Sequence, residues 1–146
     1  MNSDDANNSI IEIDGFIEEL CEYGDKIENL TEAQKNFYFN QKLEIEVNNG
    51  GFKQFFVNSS GAFSHETVTS LLAIGANKTA EILRQAIEKF PDKTVPKNRN
   101  ERIDLLLRIE ASAIAAWEEL DQMFFAYEEN LNFLNLQYIK QNRLHF

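Results

Sequence analysis

Midway through the chain, Asn48-Asn49-Gly50-Gly51 interrupts a helical pattern, and Phe52, Phe55 and Phe56 resume it at i, i+3, i+4 spacing. No straight element runs comfortably through that point, because Asn and Gly favour the left-handed conformation in which helices commonly end. Residues 46–61 hold three of the six glycines, four side-chain amides and three phenylalanines. The glycines lack the spacing of phosphate-cradling loops: there is no GxGxxG, no GxxxxGK, and Lys53 is the only cation of the stretch. The pattern predicts a helix stop, a short aromatic helix over 52–57, and a turn at Asn58-Ser59-Ser60-Gly61.

Helical signals fill the rest of the chain. Ile10, Ile13, Phe16, Ile17, Leu20 and Ile27 mark the apolar face of a first helix that Gly24 ends or kinks, with Asp25 and Glu28 placed to cap a further turn. Thr31 with Gln34 has the form of a capping box and opens a helix to about Val47. Ser64 with Thr67 opens another, closed by Gly75. Asn77 or Thr79 starts the next, and Pro91 stops it. Residues 92–99 read as an exposed linker. Trp117, Leu120, Phe124, Tyr127, Leu131, Leu134 and Tyr138 then follow a 3-4-3-4-3-4 spacing, as one long helix or two with a break. The expected fold class is all-α: a single-domain bundle of about seven helices over 9–146, with short connections. The polar residues 1–8 are expected to form a disordered tail.

The formal charge of −10 is unevenly spread. Residues 1–76 carry 13 acids against 4 bases, residues 77–108 carry 5 against 8, and residues 109–146 carry 6 against 2. Both ends are acidic, which argues against direct binding to nucleic acid or to an anionic membrane. No apolar run approaches the ~20 residues of a membrane span. A single cysteine, Cys21, excludes an intramolecular disulfide and fits a reducing cytoplasm, the expected location.

Catalytic and metal-binding chemistry find no support in the residues. The two histidines, His65 and His145, stand outside any metal-ligand motif, so no metal and no cofactor is expected. Cys21 lies beside the apolar face of the first helix, where a small buried thiol is the ordinary case. No pair of carboxylates is singled out as an acid and a base, and the protein is not expected to be an enzyme. Asn48, Asn49, Gln54 and Asn58 read as groups that satisfy helix ends, with a ligand pocket beneath them as the competing reading. Asp121, beside the apolar stripe, is expected to be partly buried and paired with Arg102 or Arg108.

The acids have a pattern of their own. On a regular helix Asp14, Glu18, Glu22 and Asp25 fall within about 80° of one another, opposite the apolar face. Glu12, Glu19 and Glu28 widen this patch, and Glu118, Glu119, Glu128 and Glu129 form a second one within a stretch, 109–139, that holds no base. Such faces keep a protein soluble; they also suit a cationic partner.

The run Val47-Asn48-Asn49-Gly50-Gly51-Phe52-Lys53-Gln54-Phe55-Phe56-Val57-Asn58-Ser59-Ser60-Gly61 resembles the hallmark of a bacterial family of acidic DNA-mimic proteins. The resemblance continues through Leu72-Ala73-Ile74-Gly75-Ala76, Ala80-Glu81-Ile82-Leu83 and Phe90-Pro91, then Leu120-Asp121 with Phe124, and Tyr138-Ile139. It spans about residues 31–140 and implies an all-α fold, often dimeric. It also implies a partner: the basic face of a helix-turn-helix-type transcription factor, occupied by carboxylates in place of phosphates. The acids expected to form that surface are Asp14, Glu18, Glu19, Glu22, Asp25, Glu118, Glu119, Glu128 and Glu129. Asn48, Asn49, Gly50, Gly51, Phe52, Gln54, Phe55, Phe56, Asn58 and Asp121 are expected to shape the scaffold. An interaction adaptor for a partner that does not bind DNA is the alternative reading.

Overall fold

The longest uninterrupted apolar stripe and the glycine-broken helix pack against each other, and the remaining helices arrange around that pair. The computed structural model describes residues 3–146. Six α-helices appear among them, with no strand: α1 Ser3–Leu20, α2 Glu32–Val57, α3 Ser64–Ala73, α4 Asn77–Ile87, α5 Arg99–Phe125 and α6 Leu131–Gln141. Short 3-10 turns, among them Ile27–Asn29 and Ser59–Phe63, fill the connections, and the separate helix expected over 52–57 is part of α2. Residues 1 and 2 of the expected disordered tail lie outside the described residues. Residues 3–8 form the first turns of α1, where Ala6 packs on the core and Asn132 donates to Asn7.

Thr31 opens α2 as its capping box predicts. Its hydroxyl accepts from the Gln34 N–H at 3.2 Å, and the Gln34 side chain accepts from the Thr31 N–H at 2.8 Å. The predicted stop at 48–51 is instead a kink inside one longer element. Gly50 and Gly51 leave the helical conformation, Gly51 at φ 74° and ψ −175°, and a second arm resumes at once. Phe52, Phe55 and Phe56 on that arm have no exposed surface. The kink leaves the Phe52 N–H without a partner in its own helix, and Asp121 of α5 accepts it at 2.8 Å. Asp121 therefore caps the second arm and is not paired with an arginine.

Arg102 is occupied elsewhere. It is almost fully buried, and its guanidinium donates to the carbonyls of Phe56, Asn58, Pro96 and Lys97 at 2.7–3.2 Å. The second stop of the sequence pattern thus becomes a junction at which one cation gathers four carbonyl groups. At Gly61 a Cβ would meet the Phe56 carbonyl oxygen at 2.3 Å, so this turn admits only glycine.

α2 joins two apolar clusters, and Leu43 and Val47 of its first arm already belong to the one that the second arm fills. Phe52, Phe55 and Phe56 pack with Phe90, Trp117 and Phe124; Phe56 lies 4.9 Å from Phe90 and 5.4 Å from Trp117, ring centre to ring centre. The Trp117 indole N–H donates to the Ala86 carbonyl, which locks α5 to α4. On the first arm, Phe37, Tyr38 and Phe39 pack with Ile10 and Ile17 of α1, with Cys21 just after it, and with Leu136 of α6. A buried polar layer joins α2, α3 and α6. Ser70 donates to Asn36, Asn36 to the Tyr138 hydroxyl, and Asn40 to Asn135.

The long stripe resolves into two helices. α5 ends at Phe125, Tyr127 takes a positive φ of 45°, and Asn130 caps α6 by accepting from the Phe133 N–H. Ser64 and Thr67 do begin α3, yet their hydroxyls donate to carbonyls of the preceding turn and cap no N–H. Within the 92–99 linker, Val95 is buried and Asn98 caps α5 by accepting from the Glu101 N–H.

The kink yields a test. A Cβ at Gly51 would lie 2.3 Å from Asp121 Oδ2, in a backbone conformation open almost only to glycine. Gly51→Ala should therefore cost on the order of 3 kcal/mol, roughly 10 °C in Tm. Thermal melts of the two proteins measure it, and an unchanged Tm would remove the kink from the constraints on this fold.

Candidate functional site

Two groups of side chains carry the functional expectations: the amides of the asparagine-glycine block and the acids of α1 and α5. The amides are committed within the protein. Asn48 donates to the Tyr127 hydroxyl at 2.8 Å, tying the kink to the α5–α6 turn. The Gln54 and Asn58 amides both donate to one oxygen of Glu46 at 2.8 Å, closing the second arm back onto the first. Asn49 and Gly50 are exposed on the outside of the kink. Glu46 was not legible as their partner, because its amides stand at i+8 and i+12 and meet it only once the helix has bent.

The acids of α1 divide. α1 ends at Leu20, and Glu22 and Tyr23 take positive φ, so the regular wheel stops before Glu22 and Asp25. The face that α1 turns inward includes Ile10, Asp14, Ile17 and Glu18, with Cys21 just after the helix, a stripe that includes two carboxylates. Glu18 is only 9% exposed and lies 2.5 Å from Lys42 Nζ of α2. Asp14 is half-buried. Burial raises its pKa, with the Glu18 charge adding to the effect and the Lys42 charge opposing it. Asp14 and Glu18 thus belong to the α1–α2 contact and not to an outward patch. In exchange, Phe16, expected in the core, is half-exposed. Glu19, Glu22 and Asp25 remain exposed.

The second acidic group also divides. Glu118, Glu119 and Glu128 are exposed. Glu128 reaches Lys78 at 3.3 Å. Glu129 turns inward and supplies what α4 lacks, a side-chain N-terminal cap. Its carboxylate accepts from the Thr79 N–H and hydroxyl at 2.8 Å and from the Lys78 N–H at 3.3 Å. No sequence rule finds such a cap, since the donor and the acid lie on different elements. Arg84, in the basic middle of the chain, is held by Glu81 and Glu88.

Cys21 and His65 are engaged separately. The Cys21 thiol is buried and donates to the Glu18 carbonyl at 3.7 Å, and burial raises its pKa. His65 Nε2 accepts from the Val95 N–H at 3.1 Å. No group of three or more His, Cys, Asp or Glu that could hold a metal ion occurs among the described residues. No helix among them is long and apolar enough to cross a membrane.

Fold and surface together define a small acidic all-helical protein in which a kinked central helix is capped by a neighbour. The chain belongs to the family described as DMP19-like protein, whose model matches residues 28–142. The asparagine-glycine block, Asp121 and the acids of α5 lie within that match, and α1 precedes it. No curated protein and no solved structure matches the chain.

Glu44 is the one buried acid with a large shift. Burial pushes its carboxyl up to about 7 from an ordinary 4.5, opposed by a hydrogen bond from Tyr127. A carboxyl raised on folding binds its proton more tightly folded than unfolded. Its contribution is present below the unfolded value and is lost as pH rises through the folded one. The wild type should lose up to about 3 kcal/mol from this group between about pH 4.5 and pH 7. Glu44→Gln carries no charge to bury, so urea denaturation should find it more stable than the wild type at about pH 8 and equal at about pH 4. A difference that does not change with pH would clear Glu44 of this role.

Proposed function

We propose that this protein binds a cationic protein partner as a DNA mimic, covering the basic surface with which a DNA-binding protein, such as a helix-turn-helix-type regulator, holds its DNA. The observation that carries the reading is the unpaired acid on the outer face of α5. Glu118 and Glu119 are exposed, and among the described residues neither forms an ion pair. They lie in the stretch without bases and inside the family match. Exposed carboxylates held on a rigid helix meet Lys and Arg side chains as phosphates do, and so compete with DNA for them. Long-range attraction speeds the encounter and makes binding weaken with salt. Glu19, Glu22 and Asp25, exposed at the end of α1, supply further charge of the same kind.

A second reading, an adaptor for a partner that does not bind DNA, draws support from apolar side chains on the surface. Ile11 is 68% exposed and Tyr23 74%, and Phe16 is half-exposed. Binding through such groups would be apolar and insensitive to salt.

Affinity capture from a lysate at low salt, with the captured proteins identified, separates the two readings. The expected catch is a DNA-binding protein that is released as salt rises and whose DNA complex the added protein dissolves. Glu118→Lys with Glu119→Lys should weaken capture by tenfold or more while leaving the Tm within a few degrees, since both positions are exposed. A catch of proteins with no affinity for DNA, held equally by the double variant, would sink the mimic reading.

A further inference from the structure

An apolar trough of about 650 Å³ lies between α4 and the C-terminal end of α5. The two helices run antiparallel. Trp117 is bound to Ala86 toward one end, and Glu129 is bound to Thr79 at the other. Ile82, Met123, Phe124, Tyr127 and Leu131 supply its apolar lining. Phe124 is buried and Tyr127 packs edge-on against it with its hydroxyl held by Asn48, yet Tyr127 stays 41% exposed and Met123 49%. A thioether and an aromatic ring left in water over a concave surface are suited to an apolar occupant, and Met adapts its shape to one.

The charge around the trough is one-sided. Glu81, Glu128 and Glu129 belong to its lining. Glu118 and Glu119 stand one turn before Gln122 and Met123 on the same helix, and so extend the acidic rim along α5. Of these five carboxylates, Glu128 and Glu81 are bridged to Lys78 and Arg84 and Glu129 caps α4, which leaves Glu118 and Glu119 outside any ion pair among the described residues.

We propose that this trough receives a cationic amphipathic helix of a protein partner. Its apolar side chains would rest on Ile82, Met123 and Tyr127, and its Lys or Arg side chains would meet Glu118, Glu119 and Glu128. The inference rests on the cationic partner of the reading above and names the part of that partner that docks. Three features select a helix. The walls are two antiparallel helices, between which a third packs by its apolar face. The described residues contain no sheet edge for an extended peptide to join. The acidic rim disfavours anionic occupants and matches the polar face of a basic helix.

The probe is a labelled 14-residue Leu/Lys peptide with Leu at i, i+3, i+4 and i+7, set against an isomer of scrambled order. The chain has only two methionines, Met1 and Met123, so methyl-labelled methionine gives a direct reporter in the unaltered protein. The amphipathic peptide should bind at least tenfold more tightly than its isomer by fluorescence anisotropy, and should shift the Met123 methyl signal. Met123→Glu, at an exposed position, should abolish the preference between the peptides while both still feel the acidic rim. Equal binding of the two peptides, or an unmoved Met123 signal, overturns the proposal. So does a Met123 signal that responds to naphthalene but to neither peptide, which would make the trough a small-molecule cavity. A signal that moves with protein concentration alone and to neither peptide, marking a second copy of the chain, overturns it too. Capture of a DNA-binding protein that persists in Met123→Glu, together with no shift of the Met123 signal in the unaltered protein, removes the trough and leaves the mimic reading standing. Peptide binding at Met123 without such a capture leaves the trough and removes the mimic.

Discussion

The architecture depends on one carboxylate meeting one backbone N–H. A helix broken by two glycines exposes a donor at the start of its second arm, in the middle of the protein, where an unpaired N–H costs on the order of 1–3 kcal/mol. Asp121 answers it. The contact is possible because Gly51 has no side chain to hold the two helices apart. The bend it stabilises turns three phenylalanines toward Trp117 and Phe90, where they join Leu43 and Val47 of the first arm, while Phe37, Tyr38 and Phe39 pack with α1 and α6. Desolvation raises the pKa of Asp121, the Phe52 N–H counteracts this, and the nearby Glu118 charge adds to it. The scaffold contact and the outward acid thus influence each other electrostatically across one turn of α5.

What the sequence made legible was local. Thr31 and Gln34 sit within one turn, so their reciprocal cap could be read directly, and the i, i+3, i+4 phenylalanines identified their buried face. The break after Phe125 was not legible. The apolar spacing continues through it without a glycine or proline, and Tyr127 reverses the chain in a conformation uncommon for its type. The inward face of α1 was misread for a related reason. Carboxylates count as outward residues unless their counterion is known, and the counterion of Glu18 is on another helix. Every long-range polar contact was hidden in this way: Glu46 with its two amides, Arg102 with its four carbonyls, Glu129 with the start of α4.

The same division bears on how an acidic surface should be described. Formal charge counts Glu18, Glu44 and Glu129 with Glu118 and Glu119, although the first three serve the interior or a helix end. The acids free to meet a partner are fewer than the composition suggests, and those on α5 lie beside exposed apolar groups. A surface of that kind can discriminate by shape as well as by charge.

The anchors on α5 and the turn after it act as marks on a ruler. Arg102, Trp117, Asp121 and Glu129 each engage a different part of the chain, at the junction after α2, at α4, at the kink, and at the first turn of α4. One residue added or removed between any two of them rotates the later anchors by about 100° relative to the earlier ones. Spacing between the anchors therefore constrains this fold more strictly than the identity of the side chains between them. Insertions and deletions in such a protein belong at the exposed residues 92–94, ahead of buried Val95 and of the Pro96 and Lys97 carbonyls that Arg102 holds.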